Sequence, residues 1–294
     1  MYELIQITET AYYVDCPAKI GIVKTDGNSV ILIDSGSDKD AGKKVLRILN
    51  EKGWKPVAIY NTHSHADHIG GNKYISSQTG CDIFVPGIEC DFTNHPILEP
   101  AALYGGFPMS GLRHKFLMAQ ESSALPLEKH VLPDGIEAIP LPGHSFDMTG
   151  FRTSDGAVYL ADCLSSKETL EKYGIGYLWD VEAYLDTLEK VKLMKADIFI
   201  PSHAEPCKDI APLAQYNIDS VKAIGEKILS FCTEPCGFDD ILKKLFDSYN
   251  LTMNLQQYAL IGSTLRSYLA WLSGLEKVTC TFENNIMLWQ KTEV

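Results

Sequence analysis

The alternation of apolar and polar positions divides the chain into short strand-like runs and longer amphipathic stretches. Near the start, ELIQITE, AYYVD and IGIVKT are rich in β-formers, and TDGNSVILID sets an Asp-Gly turn between two apolar runs, a hairpin signal. KDAGKKVLRILNEKG then places Ala41, Val45, Ile48 and Leu49 at helical spacing and stops at Gly53. The pattern repeats: KPVAIYNTH reads as a strand, GGNKYISSQTG as a helix and CDIFVP as a further strand. IEAIPLP, TGFRTSD, AVYLADCL and ADIFIPSH read as four more strands, with the helical WDVEAYLDTLEKVKLMK between the last two. Strands and helices in this alternation predict a layered α/β fold.

Two segments depart from that rhythm. Residues from about 91 to 130 mix Pro, Gly, aromatics and Met with weak periodicity, which suits an insertion that walls or covers a substrate pocket and equally a surface helical hairpin with its own small apolar cluster. Within it Tyr104, Phe107 and Met109 are the residues expected to meet substrate. After Pro206 the pattern turns helical, with three helices and then a hairpin turning at Glu283-Asn284-Asn285. The expected division is an α/β domain over 1–206 and a small winged-helix-like domain over 207–294. DNA reading would need a basic third helix, yet that helix carries only Arg266, and residues 205–294 hold 8 Lys+Arg against 11 Asp+Glu. Packing, pocket closure or homodimerisation suits this tail better.

Composition narrows the setting. A chain of 294 residues, 45% apolar and 22% charged, is ordinary for a soluble globular protein. No charged-then-apolar leader opens the sequence, and no apolar run approaches the ~18–20 residues of a membrane span. The expectation is therefore a cytoplasmic protein without a membrane partner. Of eight cysteines, only Cys232 and Cys236 are closely paired, and no second pair completes a zinc ribbon, so the thiols read as reduced and mostly buried. A net charge of −12 argues against general nucleic-acid binding, though a nuclease with its own metal ions stays open.

The chemistry concentrates at positions 61–71, NTHSHADHIGG, where a strand gives way to a helix. Extended backbone at the strand end points His63 and His65 to one side, making a pincer of two imidazoles. Asp67 and His68 follow at the turn and can face a second point nearby. Imidazole and carboxylate without thiolate suit a hydrolytic metal with an open position better than a closed structural zinc. Three more candidates end apolar runs: His144 in LPGHS, Asp162 in YLADC and His203 in IPSHAEP. The remaining histidines, His95, His114 and His130, lack that setting. Cys163 beside Asp162 reads as core rather than nucleophile, whereas Ser165, Ser166 and Lys167 could line the pocket.

IDSG, THSHADH, PGH, LAD and PSH, in this order over roughly residues 1–205, resemble the metallo-β-lactamase superfamily. The resemblance implies an αββα four-layer sandwich with the metal site at one edge of two facing mixed sheets. It further implies that His63, His65 and His144 bind one zinc, that Asp67, His68 and His203 bind another, and that Asp162 bridges them. Two zinc ions are the implied cofactors, with iron or manganese as alternatives. Asp34 of IDSG is expected to orient the motif loop, and Asp67 to accept a proton from the nucleophile. Histidines bind metal only when neutral, so activity is expected to fall below pH ~6.

The superfamily's branches differ at positions readable here. A glutamate marks the diiron flavoproteins where His65 stands, and true β-lactamases lack a bridge like Asp162. PGHSFDMTGF resembles the glyoxalase II stretch, but Phe146-Asp147 replaces a small residue and glycine, and the tail lacks that family's basic glutathione-binding residues. The expected function is hydrolysis of a small-molecule ester, thioester or lactone. The alternatives are a phosphodiesterase or endoribonuclease with RNA as substrate, and a mononuclear-iron sulfur dioxygenase.

Overall fold

A computed structural model describes residues 2–292. The first sheet runs in spatial order β1 (Glu3–Gln6), β2 (Ala11–Asp15), β3 (Ile20–Lys24), β4 (Ser29–Ile33), β5 (Lys55–Tyr60), β6 (Asp82–Val85) and β7 (Ala124–Pro126). Its first four strands are antiparallel neighbours, while β4 to β7 pair in parallel. The change of sense follows from the connections. The Asp-Gly hairpin joins β3 to β4, but α1 (Lys39–Lys52) must cross over before β5 can pair. Asp38 caps α1 through its carboxylate, and Gly53 ends it at φ 69, where the sequence predicted the stop. The connection from β5 to β6 holds the short α2 (Ala66–Ile69) and α3 (Asn72–Thr79).

Helices α4 (Glu89–Asn94) and α5 (Leu98–Tyr104) open the irregular segment, which returns to the first sheet as β7. That last strand was not evident in the sequence. The second sheet is ordered β11 (Ile198–His203), β10 (Ala157–Ser165), β9 (Thr149–Thr153) and β8 (Ile136–Pro140), with α6 (Lys167–Tyr173) and α7 (Val181–Leu193) between β10 and β11.

Side-chain alternation along the strands explains the layers. Ile31 and Ile33 of β4 pack with Phe151, Tyr159 and Ile200 in the core between the sheets. Their neighbours Val30 and Leu32 point the other way, onto Val45, Leu49 and Ile75 of the helices outside. In the second sheet Val158, Leu160 and Phe199 face α7 through Val181, Tyr184 and Leu188. Both sheets are thus buried on both faces, giving the αββα sandwich that the motifs implied. Tyr159 crosses the inter-sheet core and donates its hydroxyl to the Tyr12 carbonyl at 2.7 Å.

The remaining elements are α8 (Ala211–Phe231), β12 (Cys236–Gly237), α9 (Phe238–Ser248), α10 (Leu255–Gly274), β13 (Val278–Glu283) and β14 (Ile286–Lys291). The foreseen hairpin turns through Asn284 and Asn285, both at positive φ, and β12 adds a third strand to it. The buried residues of α8, α9 and α10 belong to the same cluster as α7, so this tail shares its apolar core with the second sheet's outer layer. The lone Arg266 of α10 stacks over Phe238 and donates to the Gly262 carbonyl. Among the described residues, no helix is long and apolar enough to cross a membrane.

Candidate metal centre

The motif loop is pinned from several sides before any ligand is considered. Asp34, at φ 66, accepts the Thr62 amide at 2.8 Å and the Thr62 hydroxyl at 2.9 Å. A non-glycine residue in that region is strained, and these bonds hold it there. Gly71 allows the loop to lie against the Asp34-Ser35-Gly36 turn: a β-carbon there would sit 2.3 Å from the Ser35 carbonyl oxygen. Ser35 in turn donates both its amide and its hydroxyl to the His68 carbonyl.

A second brace is a buried carboxylate that sequence reading missed. Glu89, in the first turn of α4 and 0% exposed, accepts from the Ser64 amide at 3.1 Å and from the Ser64 hydroxyl. Its other oxygen accepts the Asp147 amide at 3.2 Å. One side chain therefore ties the loop of His63 and His65 to the loop of His144. The departure at Phe146-Asp147 belongs to the same brace. Phe146 packs between Phe92 and Trp179, and Asp147 accepts the Ile88 amide beside Glu89. Gly143, at φ 116, turns the chain into His144 where a β-carbon would meet the Tyr184 backbone.

Asp162 does not end its strand, as the sequence suggested. It lies within β10, just after Ala161 at φ 50, where the pairing with β11 slips register. The irregularity aims Asp162 at the histidines, while Cys163 beside it is fully buried, as the alternation of a strand predicted.

All seven ligand candidates converge. His63, His65, His144 and Asp162 form one group, and Asp67, His68, Asp162 and His203 the other, with donor atoms within 4.8 Å of one another in each. In the first, His65 Nδ1 lies 3.0 Å from His63 Nε2 and 3.1 Å from His144 Nε2. In the second, Asp162 lies 3.1 Å from His68 Nε2 and 3.2 Å from His203 Nε2, with Asp67 3.4 Å from His203. Metal bonds of ~2.0–2.1 Å at tetrahedral angles separate donors by about 3.3–3.4 Å, close to these values. His68 Nε2 and Asp162 Oδ1 are buried and face each other at 3.1 Å, without a well-formed hydrogen bond, as donors that converge on a cation do. The donor set fits two metal ions sharing Asp162.

The other ring nitrogens fix the tautomers. His68 Nδ1 donates to Asp34 at 2.7 Å, and His203 Nδ1 donates to the Pro17 carbonyl at 2.9 Å. The Thr62 hydroxyl gives its proton to Asp34 and so accepts from His63 Nδ1 at 2.9 Å. Each bond turns Nε2 toward the centre, where it can bind an ion once it carries no proton.

Charge divides the two groups. Burial holds His63 well below its ordinary pKa and pushes His65 and His144 down to about 4, so these imidazoles are neutral. Burial opposes charge at His68 too, but Asp162, Asp67 and Asp34 outweigh it and raise the group well above its ordinary value. Asp162 lifts His203 to about 10 against burial. Burial likewise opposes ionisation at Asp67, yet His68 and His203 draw it down to about 2. Glu99 of α5, 3.6 Å from His65 Nε2, is pushed up to about 8 by burial and then by the nearby Glu89 and Asp67.

Two spaces adjoin the centre. A small cavity of about 210 Å³ is bounded by His65, Asp67, His144 and Asp162 on the metal side, and by Glu99, Phe116, Leu117, Tyr177, Gln256 and Leu260 opposite. A wider groove of about 630 Å³ lies on the far side of His203 and includes Lys19, Ser166 and Lys167. The irregular segment does wall the pocket, but through Glu99, Phe116 and Leu117. Tyr104, Phe107 and Met109 are solvent-exposed and line neither space. Glu99 follows the tripeptide Pro96-Ile97-Leu98 with no motif around it, and only the fold brings it to the metal side.

The family model described as the metallo-beta-lactamase superfamily matches residues 13–203. Among curated relatives, a hydroxyacylglutathione hydrolase of Methylococcus capsulatus is 26% identical over 155 residues, 52% of this chain and 50% of that protein. The probable metallo-hydrolase YqgX of Bacillus subtilis is 27% identical over 146 residues, 50% of this chain and 63% of its own length. The chain thus spans about half of these relatives' lengths. A beta-lactamase domain protein from Burkholderia ambifaria superimposes with a TM-score of 0.71 at 14% identity, over 99% of this chain and 94% of its own. A metallo-beta-lactamase family protein from Thermus thermophilus gives 0.71 at 15% identity, over 99% and 98%. These likenesses show the fold, and it includes the tail after residue 206. The matched span holds every braced loop and every converging donor described above, and the chain belongs to the metallo-beta-lactamase superfamily.

Proposed function

We propose that the protein is a dinuclear zinc hydrolase acting on a small ester, thioester or lactone. His63, His65 and His144 hold one ion, Asp67, His68 and His203 hold the other, and Asp162 serves both. The observation that carries this reading is the pair of donor groups sharing one buried carboxylate. Relatives named as hydroxyacylglutathione hydrolases and as a metallo-hydrolase support hydrolysis of an acyl compound over the phosphodiesterase and dioxygenase alternatives. In this reading residues 1–206 are the catalytic domain, and 207–294 a winged-helix-like domain that closes the pocket through α10. A cytoplasmic setting agrees with eight free cysteines.

When bound, such ions supply a hydroxide at neutral pH and polarise the oxygen that gains charge. The chain's own residues do the rest. Asp67 is ionised, faces the small cavity and takes the proton of the attacking water on its carboxylate. Asp34, the Pro17 carbonyl and Thr62 accept from the Nδ1 atoms of His68, His203 and His63 and keep the Nε2 atoms aimed at the centre. Leu117, Tyr177 and Leu260 give the acyl side an apolar wall. The test is metal analysis with turnover on an ester, thioester and lactone panel. His65→Ala and Asp162→Ala are each expected to lose metal and nearly all hydrolysis. Full metal content and full rate in either variant would sink the assignment.

A further inference from the structure

We propose that the small cavity is an acyl pocket built for a compact group without negative charge, so that the enzyme rejects substrates whose acyl half carries a carboxylate or phosphate. The proposal rests on the hydrolase reading and adds to it a substrate class. At about 210 Å³ the cavity falls below the ~300–1,000 Å³ typical of pockets that take drug-sized ligands. Its walls away from the metal side are Phe116, Leu117, Leu260 and the Tyr177 ring, with the Gln256 amide and the Glu99 carboxyl as the polar groups. No lysine or arginine is among the described residues that line it. An anion entering there would leave water without a cationic partner and would meet a carboxyl group. Asp67, Asp162 and Asp34, all directed at the same centre, offset three of the four positive charges that two divalent ions would bring.

The neighbouring groove offers no anion cradle either. Its two lysines face three carboxylates, Glu168, Glu205 and Asp209, and Lys19 is nearly buried with its ammonium donating to the Ala204 carbonyl at 2.9 Å. Charge on either side of the scissile bond is thus unprovided for, most sharply on the acyl side, where the walls are apolar and close.

The test uses the zinc-loaded full-length protein and two chain-matched probes, butyrohydroxamate and the monohydroxamate of succinic acid, with affinities read by calorimetry. The uncharged probe is expected to bind at least about tenfold more tightly. Gln256→Lys and, separately, Leu260→Lys place a cation in the cavity wall and are expected to narrow that ratio by strengthening the anionic probe. Equal or tighter binding of the succinic probe to the unaltered protein overturns the proposal, as does a ratio unmoved in both variants. Turnover is measured in parallel on butyryl and succinyl thioesters of N-acetylcysteamine. Hydrolysis of neither counts against the hydrolase reading, while the hydroxamate ratio still decides the character of the pocket.

Discussion

The clearest quantitative consequence of the centre concerns protons in the metal-stripped protein. An unperturbed imidazole is half protonated near pH 6.5. His65 and His144, pushed down to about 4, would carry under ~1% of a second ring proton at that pH, and His203, lifted to about 10, nearly a full one. His63 joins the neutral set and His68 the cationic one. Across pH 5.5–8 the five rings should therefore hold a constant two extra protons, both in the group with Asp67. Five ordinary histidines would instead fall from more than four to almost none over the same range. The sign for metal binding follows. An ion entering beside Asp67 displaces two protons, so its affinity rises steeply with pH up to about 10, whereas binding at the three-histidine group stays flat above pH ~5. Loss of activity on acidification then begins with the second ion and is not a shared histidine titration near pH 6. Long-range proton–nitrogen NMR of the rings in chelator-treated protein reads each protonation state directly. A His203 midpoint near 6.5, or doubly protonated His65 and His144 at pH 6, would refute the reasoning.

The braces yield three further expectations. Glu89→Ala leaves the Ser64 and Asp147 amides buried without an acceptor and should cost about 2–4 kcal/mol in urea unfolding of the metal-free protein, with Glu89→Gln recovering part of it. An unchanged midpoint for the alanine variant would mean the carboxylate does not hold the two loops. Asp34→Asn removes the anion that fixes the His68 tautomer, and a chelator competition should show affinity for the second ion falling about 10–100-fold. Gly71→Ala forces a methyl against the Ser35 carbonyl and should destabilise by about 1–3 kcal/mol; a neutral thermal shift would show that the turn can yield.

What the sequence revealed and what it concealed follow from how local each signal is. Period-two strands and the helical spacing of α1 are local patterns, and the layers they imply are the layers observed. The four ligand candidates in NTHSHADHIGG share one loop, His203 ends β11, and His144 lies in the short connection from β8 to β9. Asp162 was found by its motif, but its setting was misjudged, because the irregularity at Ala161 depends on pairing with β11, a strand some forty positions later. Glu89 and Glu99 carry no local mark, since a buried carboxylate looks like any surface glutamate until the fold encloses it. The pocket wall was least legible: Leu117, Tyr177 and Gln256 come from three distant segments, and no periodicity distinguishes them from Tyr104, Phe107 and Met109, which line neither space.

That wall has a consequence for the order in which the protein comes into being. Every metal-ligand candidate lies at or before His203, whereas Gln256 and Leu260 arrive with α10, more than fifty positions later. Chains emerge from the ribosome amino end first and fold as segments become free. A nascent chain can thus gather its donors while the acyl pocket still stands open on one side. The side of the cavity formed by α10 is the last to be built, after all seven donors have emerged.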